Sequence, residues 1–142
     1  MRRRTIRDFE ASVDVAQIAE GWAQAHRFVL TETASDGTRC YRNEECDVDV
    51  DDVAKSGIKR VLFLWLSKRI KTFRLVTLRQ DGRHVHLEAW LEFSRQYRAI
   101  TLYMLPTEMG LEGGGLRQKL ERSETRNRVN PLLIGLGQTP IR

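Results

Sequence analysis

"TFRLVTLRQDGRHVHLEAWLEF", residues 72–93, decides how this chain folds. From Arg83 onward the odd positions Val85, Leu87, Ala89, Leu91 and Phe93 are apolar, and the even positions His84, His86, Glu88 and Glu92 are polar, with Trp90 the exception. Successive side chains of an extended chain point to opposite sides, so a period of two marks a strand with one dry face. Asp81-Gly82 separates this run from a second β-type run at 73–78. Asp-Gly between such runs signals a hairpin, because a type I′ turn needs positive φ at both central positions. A two-residue loop at 81–82 sets Leu78 against Val85 and Val76 against Leu87. It also sets Phe73 against Trp90 on the outer face, where an aromatic pair would cover the end of the sheet.

Working outward, "FVLTETASDGTRCYRNE" carries a second Asp-Gly, Asp36-Gly37, between segments rich in Val, Thr and Tyr, and reads as another hairpin. Residues 5–12 form a short strand candidate. Next comes a helix over about 15–26, with Asp14 as cap and Gln17 three residues on, as in a capping box. Val15, Ile18, Trp22 and Ala25 make its apolar stripe. "RAITLYML" (98–105) is apolar at nearly every position and suits a strand buried on both faces. "RVLFLWLSKRI" (60–70) fits strand or helix, and its aromatic and β-branched content favours strand. After "EGGG" (112–115), Val129, Leu132, Leu133 and Leu136 form a core-facing helical stripe. Asn130-Pro131 offers a cap and first helical position, so the last helix is expected to restart or kink there. Pro140 and Ile141 would then fold back as a hook. The expected fold is α+β: an antiparallel twisted sheet of about five to seven strands, with one helix from the N-terminal half and a C-terminal helix packed on one face.

The chain has 142 residues, 41% of them hydrophobic, which is enough for one domain over 1–142 with its own core. No apolar run is long enough to span a bilayer, and the basic start "MRRRTIRDFE" lacks the apolar segment of a secretory signal, so the cytoplasm is the expected location. Cys40 and Cys46 form no CxxC pair and read as free thiols. The net charge of +5 is unevenly spread. Residues 1–52 hold 7 basic and 12 acidic side chains, residues 53–106 hold 11 and 3, and residues 107–142 hold 6 and 4. Such asymmetry suits an anionic partner, or contacts within a homo-oligomer.

"VHLEAWLEF", "LYMLPTEMGLEGGG" and "RNRVNPLLIGLGQTPI" resemble a family of small, uncharacterised bacterial proteins. Its members share a leading helix with Trp, a "LEAW" strand, an "LP-E" segment, a Gly pair and a final "N-LL--LGQ-PI". The resemblance spans roughly residues 15–141 and implies a compact bacterial domain with a structural C-terminal hook. It implies no activity or catalytic residue. Some relatives look as if they carry a zinc ribbon, which has no counterpart here. Pro131 departs from the family pattern, where a polar residue is usual.

His84, His86 and Glu88 alternate along one strand face and are the residues most able to bind a metal, as the core of a metal-dependent enzyme. The competing reading is a polar strand face open to water. "DVDVDD" (47–52) has carboxylates at the first positions of a calcium loop but lacks its Gly and its final Glu, and reads as an acidic loop. "EGGGLRQK" has no nucleotide-loop spacing, and no cofactor motif is present. Glu108 and Glu112 read as loop charges. The middle third is rich in Lys and Arg without an RNA- or DNA-binding signature. The sequence therefore points to a non-enzymatic module that binds a macromolecular partner through a basic sheet face, with Arg74, Arg79, Arg83, Phe73 and Trp90 as the contact surface. A nucleic acid or an anionic membrane surface is the alternative partner.

Overall fold

A computed structural model describes residues 3–47, 69–96, 107–112 and 119–142. The expectations for 48–68, 98–105 and 113–118, including the strand-or-helix choice at 60–68, lie outside the described residues. The fold is α+β, as the alternation at 72–93 requires. Its elements are β1 (Thr5–Glu10), α1 (Val15–His26), β2 (Val29–Thr33), β3 (Arg39–Asp47), β4 (Arg69–Asp81), β5 (His84–Gln96), β6 (Thr107–Gly110) and α2 (Lys119–Gly135). The six strands form an antiparallel sheet in the order β1-β5-β4-β3-β2, with β6 also paired to β5. β3 runs on to Asp47, the first residue of the expected acidic loop.

The chain forms two compact units. One comprises residues 1–43, 74–91 and 108–142, and contains both helices. The other comprises residues 44–73 and 92–107, whose described part is strand.

Within the first unit, Val76, Leu78, Val85, Leu87, Ala89 and Leu91 are buried on one sheet face. Both helices lie on that side. The Gln80 side chain accepts from Val15 N–H at 3.2 Å and donates to Val13 C=O at 3.1 Å, which anchors the start of α1. Asp14 caps the helix by accepting from Ala16 N–H, and Gln80 of β4 takes a different free donor of the first turn, Val15 N–H, from the one a capping box would give to Gln17. The buried stripe of α1 is Val15, Ala19, Trp22 and Ala23; Ile18 is half-buried and Ala25 exposed. Trp22 moves the stripe, because its ring stacks on Phe28 at 4.4 Å, meets Tyr41 edge-on at 5.9 Å, and donates through Nε1 to the Arg128 carbonyl at 2.7 Å.

The turns refine the expected register. β4 ends at Asp81 and β5 begins at His84, so the loop is Gly82–Arg83 rather than Asp81–Gly82. Gly82 has φ of +61° and Arg83 is not positive, the pattern of a type II′ turn with Gly first. A two-residue slip keeps every side chain on its face, which is why the inward and outward assignment survives. The other hairpin uses a three-residue loop. Ala34 C=O accepts from Gly37 N–H, and Gly37, at φ +86°, turns the chain into β3.

α2 runs unbroken through Pro131, against the expected restart at Asn130. Pro131 and Asn127, the residue whose carbonyl it leaves without a helical donor, are both exposed, so water can take that bond. The helix ends in a Schellman motif: Gln138 N–H bonds Leu133 C=O at 2.8 Å, Gly137 N–H bonds Ile134 C=O at 3.0 Å, and Gly137 has φ +73°. Asn130 has another task. Its amide accepts from Ile141 N–H at 2.8 Å and donates to Ile141 C=O at 3.1 Å, holding the hook while the Ile141 side chain is buried. At the end of α1 the left-handed position is taken by Arg27, at φ +61°. A side chain there costs about 1 kcal/mol that glycine would avoid.

Candidate functional site

The most organised polar surface lies on the outer sheet face of the first unit. β1 and β5 pair so that Asp8 stands opposite His86, Ile6 opposite Glu88 and Glu10 opposite His84. Even positions of both strands face outward, so their polar side chains fall into one row. His86 Nδ1 lies 2.6 Å from Asp8 Oδ1, and His86 Nε2 lies 3.1 Å from Glu88 Oε1. Glu88 Oε2 accepts from Arg4 Nη1 at 2.9 Å. Arg4 then forks onto Glu108 of β6, through Nη2 at 2.8 Å and Nε at 3.3 Å. His84 Nε2 approaches Asp8 Oδ1 at 3.5 Å. The result is a row of alternating charge: Asp8, His86, Glu88, Arg4, Glu108. A second pair, Arg7 with Glu112 at 2.6 Å, ties β1 to the residue pair after β6. Glu108 and Glu112 are thus ion-pair partners rather than loop charges.

Titration follows from this geometry. The Asp8 hydrogen bond, with that of Glu88 behind it, raises the His86 pKa above its ordinary 6.5. Both ring nitrogens face carboxylates, which only accept when ionised, so the doubly protonated ring fits the row. The His86 hydrogen bond in turn lowers the Asp8 carboxyl. Burial pushes Glu88 up, but the hydrogen bonds from Arg4 and His86 outweigh it and leave the pKa lowered. The Arg4 hydrogen bond lowers Glu108, and the Glu108 hydrogen bond raises Arg4.

The proposed ligand set His84, His86 and Glu88 does share one face. A metal would need the neutral ring of His86, with a free lone pair, where the structure commits both nitrogens to carboxylates. Among the described residues no group of three His, Cys, Asp or Glu is arranged to hold a metal ion.

The expected contact surface divides. Arg79 and Arg83 are exposed, with Arg79 3.7 Å from Asp36. Phe73 is half-buried and belongs to the second unit. Trp90 is only 4% exposed, and the Arg4 guanidinium lies 3.9 Å above its ring. Arg74 is the clearest correction. It is fully buried on the inner face, in the same alternation as Val76 and Leu78. Its Nε donates to Thr125 Oγ1 at 3.0 Å and its Nη1 to Asn43 Oδ1 at 3.0 Å, while Nη2 stands 3.4 Å from Glu124 Oε2. Asn43 passes the chain on, donating to the Arg27 carbonyl at 2.9 Å, and Thr125 donates to the Glu121 carbonyl at 2.7 Å. This polar spine joins β3, β4, α2 and the end of α1.

No family model matches the chain, and no curated protein does. One solved structure is distantly similar: a DUF4468 family protein from Bacteroides ovatus, at 16% identity and a TM-score of 0.46, over 98% of this chain and 88% of that one. The site must therefore be read from its own geometry.

Sequence reasoning missed Arg4, Asp8, Asn43, Glu124 and Thr125. Arg4 and Asp8 lie at or next to a strand candidate with outward even positions, but their partners are 84 and 78 residues away. Arg74 could have been found. It shares the even positions of 72–80 with the apolar Val76 and Leu78, so alternation alone places it inside. Among the described residues no helix is long and apolar enough to cross a membrane.

Proposed function

We propose that this protein is a non-enzymatic, cytoplasmic interaction module that binds a protein partner on the outer face of its sheet, within a bacterial family marked by the "LEAW" and "N-LL--LGQ-PI" signatures. The observation that carries the reading is the row Asp8–His86–Glu88–Arg4–Glu108, on the sheet face opposite the two described helices. Each side chain in it is already held by a neighbour, so little rotamer freedom remains to be lost on binding. Alternating charge selects a partner of complementary pattern and rejects a uniform polyanion, whose phosphates would meet Asp8, Glu88 and Glu108. Ile6, 38% exposed on the same face, offers an apolar contact beside the charges.

A photo-crosslinking residue in place of Ile6 tests this in cells of the source organism. The expected result is one dominant protein adduct that is absent with the same residue at Val13, which is exposed next to the start of α1, and that is lost on Glu88→Arg. Equal labelling at both positions overturns the proposal. The anionic-partner alternative draws on the exposed Arg79 and Arg83 near the hairpin turn. Retention on heparin or DNA at low salt, lost when both are changed to Glu, would favour it.

A further inference from the structure

β1 stands at one end of the strand order, with β5 on one side of it. We propose that its other edge pairs antiparallel with β1 of a second copy of this chain, about a two-fold axis at Ile6, so that two sheets run into one. The inference goes beyond the outer-face reading, because it concerns the edge of the strand rather than the face of the sheet.

Backbone direction comes first. Ala11 N–H bonds the Arg83 carbonyl at 2.8 Å, in the same unshifted register that pairs Thr5 with Ala89. The odd residues of this strand therefore turn their N–H and C=O groups toward β5, and the even residues turn theirs to the other edge. Ile6 agrees: its carbonyl accepts from the Arg7 guanidinium at 3.1 Å, in an exposed contact. Arg7 can release that carbonyl to an incoming strand and keep its pair with Glu112, 2.6 Å from Nη2.

Symmetry then selects the register. Even residues must meet even residues, which in the middle of the strand places the axis at Ile6, Arg7 or Asp8. An axis at Arg7 or at Asp8 sets that charged residue against its own copy, which is unfavourable. An axis at Ile6 sets Ile6 against Ile6, and Asp8 against Arg4 of the second copy, twice over by symmetry. Both charged ends have capacity to spare. The histidines engage Asp8 through Oδ1, which leaves Oδ2 open, and Asp8 is 50% exposed. Arg4 bonds Glu88 and Glu108 once through each of its nitrogens, so each terminal nitrogen keeps a second N–H. Ile6, 38% exposed, puts apolar area at the axis between the two charge pairs.

The opposite edge is less fit for pairing. β2 carries a register shift between Leu30 and Glu32, the kind of irregularity that protects edge strands. β1 is regular from Thr5 to Glu10 and holds no proline.

The test is sedimentation equilibrium of the purified full chain at concentrations up to roughly 1 mM, the weak end of specific association. The expected result is a monomer–dimer equilibrium. Ile6→Glu and Ile6→Lys each set like charges against each other at the axis and should weaken self-association about five- to tenfold, whereas an equimolar mixture of the two should recover it. Ile6 is partly exposed and outside the ion pairs, so both variants should melt close to the parent. Leu30→Glu, on β2, should leave the dimer unchanged. The proposal is overturned if the parent stays monomeric throughout, or if the mixture associates no more tightly than either variant alone. It is also overturned if the Ile6 variants dimerise as the parent does, and loss of the dimer in Leu30→Glu would then mark β2 as the paired edge. A monomeric parent that still gives a crosslinked adduct with a different protein at Ile6 sinks this inference and leaves the outer-face reading standing.

Discussion

Replacing Arg74 separates a structural arginine from a surface one. In Arg74→Ala, Asn43 Oδ1 loses its donor at a residue only 3% exposed, which costs about 1–3 kcal/mol. Thr125 suffers less, because its hydroxyl still donates to the Glu121 carbonyl. The vacated side-chain volume adds a cavity term, and large-to-alanine changes in cores cost about 2–5 kcal/mol. The two effects overlap, so a total of about 3–5 kcal/mol is expected; Glu124, at 51% exposure, is left facing water and adds little. Arg74→Met keeps most of the volume and removes the burden of a buried cation, so its loss should be smaller, about 1–3 kcal/mol from the unpaired Asn43. Changing Asn43 to Leu in the Arg74→Met background removes both polar partners and should cost less than the two single changes added together. The exposed control, Arg79→Met, should stay within about 0.5 kcal/mol of the parent. Urea unfolding followed by tryptophan fluorescence measures these variants and Asn43→Leu alone, five in all, with the slope checked for two-state behaviour. If Arg74→Met and Arg79→Met are equally stable, the buried spine does not hold the fold and the reasoning fails.

Other consequences follow from the same contacts. His86 should titrate above 6.5 by NMR, and Asp8→Asn should bring it down; a value at or below 6.5 in the parent contradicts the charge row. Because the folded pKa is raised, the stability His86 adds is complete below its unfolded pKa and fades as pH rises through the folded one, so His86→Gln should cost more at acid pH than at alkaline pH. The depressed Asp8 sets the other limit: its share is present above the ordinary carboxylate range and is lost as pH falls through the lowered value. Asn130→Ala should cost about 1–2 kcal/mol and expose the Ile141 amide to rapid hydrogen exchange; unchanged exchange would show that the hook is held by other contacts. Gly135→Ala should raise stability by about 0.5–1 kcal/mol in thermal melts, since the added methyl meets Ile18 Cγ2 at an ordinary 3.7 Å while the helix gains propensity; a loss would mean that α1 and α2 cannot accept it.

Much of the frame was legible because it depends on local periodicity. The alternation at 84–92 sorted β5 into a dry and a wet face, and a register slip of two residues at the turn could not disturb that sorting. The span of α1 and its Asp14 cap were readable from a few neighbouring residues. The same locality misled at Asn130-Pro131. A cap-and-proline pair reads as a helix start, but the buried Val129, Leu132 and Leu133 keep one helix continuous across it. Packing of that face outweighs one lost hydrogen bond on the solvent side.

The charged residues divide along the same line. By itself the sequence determined which side of its own strand each residue takes, and therefore the α+β class, the dry face of the hairpin and the outward row His84, His86 and Glu88. Only the tertiary structure decided what each charge meets there. Arg74 points to the core because its strand position demands it, and it is accommodated because Asn43, Thr125 and Glu124 arrive from β3 and α2. Trp90 points outward yet is buried, and pairing of β1 with β5 brings Arg4 over its ring. Side-chain direction is set by local backbone geometry, whereas the burial and pairing of a charge depend on partners that fold in from distant parts of the chain.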